Sequence, residues 1–244
     1  MMGGTRPDKY KKLVVKGKRI DGRKLDEMRP VIIKAGVLDQ ADGSAYIEVG
    51  STKILAGVFG PKVLHPKRLL DEDKAVLDVS YAMLPFSTSE RARPGPSRRS
   101  KEISKVAKNA LEPSIFLEEA PQVMISLQLD VISADAGTRA AAITAGSVAL
   151  ADAGIPMKGL VSACAAGKID GNIALDLCGP EDNFGEADMP VAMLSSNNEI
   201  TLLQFDGDMT KDEVSKSLEL VRKGNEYLWS KQEEALRGKY KEVD

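Results

Sequence analysis

The chain of 244 residues is 43% apolar, enough to bury a proper core in one large domain or two smaller ones. Its 34 lysines and arginines against 36 aspartates and glutamates leave a net charge of −2, so no global positive field advertises nucleic-acid binding and any anion site must be local. Two cysteines, Cys164 and Cys178, are too few for a disulfide framework or a zinc cluster, and His65, the lone histidine, argues against serine-protease and zinc-hydrolase mechanisms.

The opening stretch MMGGTRPDKYKKLVVKGKR lacks the apolar centre of a signal peptide, and no apolar run approaches the ~18 residues of a membrane span. With its cysteine usage, the chain reads as cytoplasmic, with a loose basic arm over residues 1–17 and no membrane contact. Neither a Walker A sequence nor a GxGxxG after a strand supports a nucleotide-cofactor fold. Strands are predicted over 31–35, 44–49 and 52–59, the last two joined across Gly50-Ser51 as a hairpin. A further strand over 75–84 continues what reads as an antiparallel region. Ile103, Val106, Ala107, Ala110 and Leu111 then recur at helical spacing, in a helix that begins at 97–100 and ends before Pro113.

Residues 122–133 alternate as a long strand, and Ala134-Asp-Ala-Gly-Thr-Arg139 leads into an alanine-rich helix running to about Ala153. After Gly154-Ile-Pro156 the pattern restarts. Strands over 160–169 and 172–177 flank Asp170-Gly171, a hairpin signal, and a second pair over 187–194 and 200–205 surrounds Ser195-Ser-Asn-Asn198. A long helix starts near Asp212, with Thr210 and Glu213 spaced as a capping box and Val214, Leu218 and Val221 on one face. Trp229 and Tyr227, further along it, read as packing residues. The whole is an α+β arrangement in two related parts.

Three stretches carry candidate chemistry. Arg98 and Arg99 stand at a helix start, where the dipole disfavours cations. They form either a solvated basic turn or an anion site in which guanidinium groups and helix N–H groups hold one phosphate. Gly137, Thr138 and Arg139 repeat the arrangement at a second junction, where Thr138 can cap the helix or bind an oxyanion; an ordinary capped helix fits the same residues. Glu181-Asp-Asn-Phe-Gly-Glu-Ala-Asp188 concentrates carboxylates, as a polar loop or as a site where Asp182 and Asp188 bind Mg²⁺ or Mn²⁺ through oxygen and one acts as general acid. Arginines for phosphate beside carboxylates for a divalent cation are the parts of phosphoryl transfer.

The stretches KRIDGRKLDEMRP, GSTKILAGVFGPK, PFSTSERARPGPSRR, SADAGTRAAAITAGSVALADAGIPM and LDLCGPEDNFGEADMPVAM follow one another in the order of the RNase PH family. The sequence resembles that family over about residues 18–218, most closely the version found in catalytic ring subunits of the archaeal exosome. The resemblance implies an RNase PH-like fold of two pseudo-symmetric β-α halves, 18–150 and 151–218, with 219–244 as the end of the last helix and a tail. It also implies degradation of single-stranded RNA from the 3′ end, with inorganic phosphate as the attacking co-substrate and nucleoside diphosphates as products. Run backward, the reaction adds 3′ tails.

On this resemblance Gly137, Thr138 and Arg139 match the phosphate-binding motif, with threonine where serine is common. Arg98 and Arg99 match the pair that holds the RNA backbone. Asp182 and Asp188 match the catalytic acidic positions, Asp182 as general acid and Asp188 in metal binding. His65, Lys67 and Arg68 fall in a segment near the RNA path and are expected to touch backbone phosphates, or else to form a solvated basic loop. The implied partners are an inactive paralogous subunit, alternating with this one in a six-membered ring, and RNA-binding cap subunits. A homohexameric tRNA-trimming RNase PH, an inactive structural ring paralogue and a hydrolytic metal-dependent nuclease are the alternatives.

Overall fold

The structure is a computed structural model that describes residues 7, 10, 12–63 and 71–241. His65, Lys67 and Arg68 lie outside the described residues. Residues 13–19 correct the expectation of a loose arm where they are described. Strands β1 (Val14–Val15) and β2 (Lys18–Arg19) pair as a small hairpin, and Leu13 is wholly buried against Ile169, Ala174 and Leu177. The Leu13 and Val14 amides donate to Asp170 Oδ2 at 2.5 and 3.1 Å. One apolar side chain thus anchors a polar stretch.

Alternating burial then builds β3 (Val31–Ala35), β4 (Gly43–Val49) and β5 (Thr52–Lys62) as an antiparallel meander, with Val49 opposite Thr52 across the expected Gly50-Ser51 turn. The next strand, β6 (Val76–Met83), departs from the antiparallel expectation. It is connected through helix α1 (Arg98–Leu111) to β7 (Met124–Ser133) and pairs with β7 in parallel, giving the order β3-β4-β5-β7-β6. A parallel pair needs a crossover of a dozen residues or more, and α1 supplies it.

Helix α2 (Thr138–Asp152) is buried without a break from Ala140 to Leu150. It packs on the first sheet on one side and on the second on the other, which is why it is apolar all round. Its C-terminal end runs so close to β4 that a Cβ on Gly43 would lie 2.2 Å from the Ala153 backbone nitrogen. Gly43→Ala is therefore expected to cost about 1–3 kcal/mol in urea unfolding, because backbone must move to admit the methyl group.

In the second half, β8 (Val161–Ile169) and β9 (Asn172–Leu175) close over Asp170 and Gly171 at φ 46° and 71°, the left-handed pair of a tight hairpin turn. A short helix α3 (Gly179–Phe184) leads to β10 (Ala187–Leu194), which pairs with β8, with β11 (Ile200–Leu203) and with a further two-residue strand, β12 (Asp206–Gly207). Helix α4 (Lys211–Lys241) opens with the expected capping box: the Thr210 amide donates to Glu213 Oε2 at 2.7 Å and the Glu213 amide to Thr210 Oγ1 at 3.3 Å. It runs unbroken past position 218 and lays Val214, Leu218, Val221 and Trp229 on the core. Tyr227, expected to pack, is 41% exposed. No helix among the described residues is long and apolar enough to cross a membrane.

Candidate active site

Both loop-to-helix junctions and both carboxylate positions meet in one cleft, lined by Arg99, Gly137, Thr138, Arg139, Asp182 and Asp188. Ser97 caps α1: its hydroxyl accepts from the Ser100 amide at 3.0 Å, and its own amide donates to Ser100 Oγ at 2.7 Å. The capping box lets two cations occupy the first turn. Arg99 faces the cleft, whereas Arg98, its exposed neighbour, does not line it.

The second junction is shaped by two successive left-handed residues, Ala136 at φ 58° and Gly137 at φ 64°. Buried Thr52 holds them, donating from Oγ1 to the Ala136 carbonyl at 2.8 Å and accepting from the Asp135 amide at 3.0 Å. Gly137 occupies the cap position and no side chain caps the helix, so the first-turn N–H groups of α2 remain available to an anion. Thr138 does not cap. Its hydroxyl is buried and accepts from Tyr81 OH at 3.0 Å. Arg139 extends to Glu102 of α1 at 3.1 Å, while its buried Nε has no partner.

Asp188 stands directly opposite Asp206 in the β10–β12 pairing, and Asp206 also lines the cleft. Like charges facing each other across a sheet are destabilising, so this pairing is a local conflict of the kind that marks a site. Burial, followed by the neighbouring Asp182, pushes Asp188 up to about 7 against the opposing pull of Arg139. Asp182 is exposed at the mouth, yet the protein crowding its carboxyl raises its pKa despite Arg99, Arg139 and Arg29.

Beneath the cleft lies a buried ionic scaffold that sequence reasoning missed. Arg29 grips Asp176 through Nε at 2.9 Å and Nη2 at 2.7 Å, and Arg19 pairs with Glu181, both side chains fully buried. Arg23 adds a bond to the Asp176 carbonyl at 3.0 Å. The signal was present in ALDL, where an acid sits between apolar residues, and in the arginines of KRIDGRKLDEMR. Burial alone would raise Asp176; the hydrogen bonds and charge of Arg29 outweigh it and hold the carboxyl below its ordinary range. The resulting stability is complete above that range and lost as pH falls below it, through the lowered value that Asp176 takes in the fold. Asp176→Ala strands Arg29 without its partner and is expected to cost about 3–5 kcal/mol, read as a lowered urea midpoint.

No group of three or more metal-ligating side chains forms among the described residues. The donors present instead suit an ion that keeps most of its water: Mg²⁺ is commonly held by one or two carboxylates together with substrate phosphates, and a cation between Asp182 and Asp188 would relieve their repulsion.

Residues 27–156 match domain 1 and residues 159–224 match domain 2 of the 3′ exoribonuclease family of RNase PH. The exosome complex component Rrp41 of Thermococcus kodakarensis is 56% identical over 243 residues, covering 100% of this chain and 97% of that protein. Its namesake from Methanopyrus kandleri is 55% identical over 224 residues, covering 92% and 94%. Among solved structures, rice Rrp46 superposes with a TM-score of 0.79 at 26% identity, covering 89% of this chain and 100% of that one. A chain of the Archaeoglobus fulgidus exosome with RNA bound to the active site gives 0.77 at 19% identity, covering 88% and 92%, a likeness of fold. With both domain models matched in order across most of its length, the chain belongs to the RNase PH family of 3′ exoribonucleases.

Proposed function

We propose that this chain is the catalytic ring subunit of an exosome, shortening single-stranded RNA from its 3′ end by phosphate attack. The observation that carries the reading is the convergence of two arginine-bearing helix N-termini on one cleft with Asp182 and Asp188. Two anions, the attacking phosphate and the scissile phosphodiester, must approach each other, and without nearby cations their repulsion opposes the reaction. The free N–H groups of α2 with Arg139 hold the inorganic phosphate. Arg99, at the mouth, takes the RNA phosphate, and exposed Arg98 takes the backbone beyond it.

An oxygen of the bound phosphate then forms a bond to the scissile phosphorus, the bond to the 3′ oxygen of the preceding nucleotide breaks, and Asp182 gives that oxygen its proton. The raised pKa of Asp182 suits an acid. A divalent ion at Asp188 would offset charge on the reacting phosphates. Because the Asp188 carboxyl sits at about 7, binding this ion displaces a proton below neutrality. Mg²⁺ affinity measured by calorimetry without RNA is expected to fall as pH drops through about 7 and to level off above it; a pH-independent affinity would take the ion away from Asp188.

The same cleft run backward adds 3′ tails from nucleoside diphosphates. Exposed Ile200 and Leu203 on the edge strand β11, with Phe205 just beyond it, support assembly with a paralogous inactive subunit in a hexameric ring, to which RNA-binding caps attach. His65, Lys67 and Arg68 guide the strand. The buried free thiols of Cys164 and Cys178 suit a cytoplasmic setting. The test is to incubate end-labelled single-stranded RNA with the assembled protein, with and without phosphate. Nucleoside diphosphates released only with phosphate are expected; monophosphates released without it would replace this reading by hydrolysis. Activity of the chain as a homohexamer would favour the tRNA-trimming form of the family.

A further inference from the structure

The phosphate loop and the helix bearing Asp182 come from different halves of the chain, 135–139 and 179–184, yet they must hold a fixed distance for in-line attack. A hydrogen bond joins them. Asp135 Oδ1 accepts from the Gly179 amide, the first residue of α3, at 3.0 Å. A Cβ on Gly179 would lie 2.5 Å from that same oxygen, so a side chain here would push the Asp135 carboxylate off the amide.

The Asp135 backbone is fixed independently: its amide donates to Thr52 Oγ1 and its carbonyl accepts from Arg29 Nη1. Loss of the Asp135 carboxylate would therefore leave the loop seated and uncouple from it the first residue of α3, a helix then held from its other side, where Arg19 grips Glu181. We infer that Asp135 is a positioning residue that sets Asp182 against the phosphate held at Gly137–Arg139, through its hydrogen bond to the Gly179 amide. Neither its charge nor any contact with substrate is required. The inference rests on the phosphorolytic reading above.

The test uses the full chain, with its ring partner where activity requires it. Asp135→Ala is expected to lower kcat about 100-fold, the scale on which a displacement of about 1 Å in a reacting group acts. KM for phosphate and the affinity and stoichiometry of RNA binding should stay at their native values, because the loop and α1 keep their own anchors. Asp135→Asn retains an acceptor oxygen and is expected to restore most of kcat. Gly179→Ala should lower kcat in the native background but add nothing to Asp135→Ala, where the clashing oxygen is gone. The inference is overturned if Asp135→Ala keeps native kcat, if Asp135→Asn is as slow as Asp135→Ala, or if Gly179→Ala acts equally in both backgrounds. Phosphate dependence of the unsubstituted protein is measured alongside, so failure of the phosphorolytic reading is seen separately.

Discussion

Asp188→Asn is expected to abolish nucleotide release and, above neutral pH, to leave the folded chain more stable than the native one. Both effects follow from one geometry. Asp188 is half-buried, shares its surroundings with Asp182 and faces Asp206 across the sheet, and the loss of water around its carboxyl together with these neighbours pushes it up to about 7. A carboxyl raised in the folded state contributes stability that is complete below the ordinary carboxylate range and lost as pH rises through the folded value. Above about 7 the native fold therefore carries an ionised group it disfavours. The amide removes that charge at nearly constant shape, and by the linkage of about 1.4 kcal/mol per pKa unit it is expected to gain roughly 2–4 kcal/mol there. Urea unfolding between about pH 4 and pH 8 measures this: the native midpoint should fall as pH rises towards about 7 and level off above it, and that of the asparagine variant should fall less. Equal pH dependence of the two proteins would show that Asp188 is not strained, and its place at the reacting centre would lose its physical basis.

Arg139→Ala is expected to lower kcat/KM for phosphate by at least about 100-fold, the scale of removing one preorganised donor from a developing charge. Lysine should restore little, because a point charge cannot reproduce a planar fork that pairs with Glu102 and has donors left over for an anion. Stability should hardly change, since the Arg139–Glu102 pair is 26% and 46% exposed and such pairs contribute about 0–1 kcal/mol. A near-native phosphate KM in Arg139→Ala would move the phosphate site elsewhere in the cleft.

Local chemistry was legible in the sequence wherever one short stretch settles one local outcome. Asp170-Gly171 closes the β8–β9 hairpin, Thr210 and Glu213 cap α4, and the apolar spacing of Ile103 to Leu111 buries one face of α1. Long-range pairing was not. The parallel partner of β6 depends on the crossover of α1, and the two-residue strand β12 exists because Asp206 and Gly207 lie beside Ala187 and Asp188. The same limit hid half of the site. Arg99 and Arg139 announce themselves by standing where the helix dipole disfavours cations, and Asp182 and Asp188 by a crowding of carboxylates, but Asp206 reads as an ordinary loop acid until the sheet brings it opposite Asp188. Arg29 and Asp176 are separated along the chain, and their pairing becomes visible only when both are buried. Leu13 is a similar case, an isolated apolar residue in a basic stretch that proves to be an anchor.

The alignment of Arg99, Arg139 and Asp182 around one reacting phosphorus is tested most directly by the fate of the attacking group. With radiolabelled inorganic phosphate and unlabelled single-stranded RNA, the label is expected in the β-phosphate of every nucleoside diphosphate released, and Arg139→Ala is expected to suppress the transfer. Release of mononucleotides that carry no label, at a rate indifferent to phosphate, would contradict it.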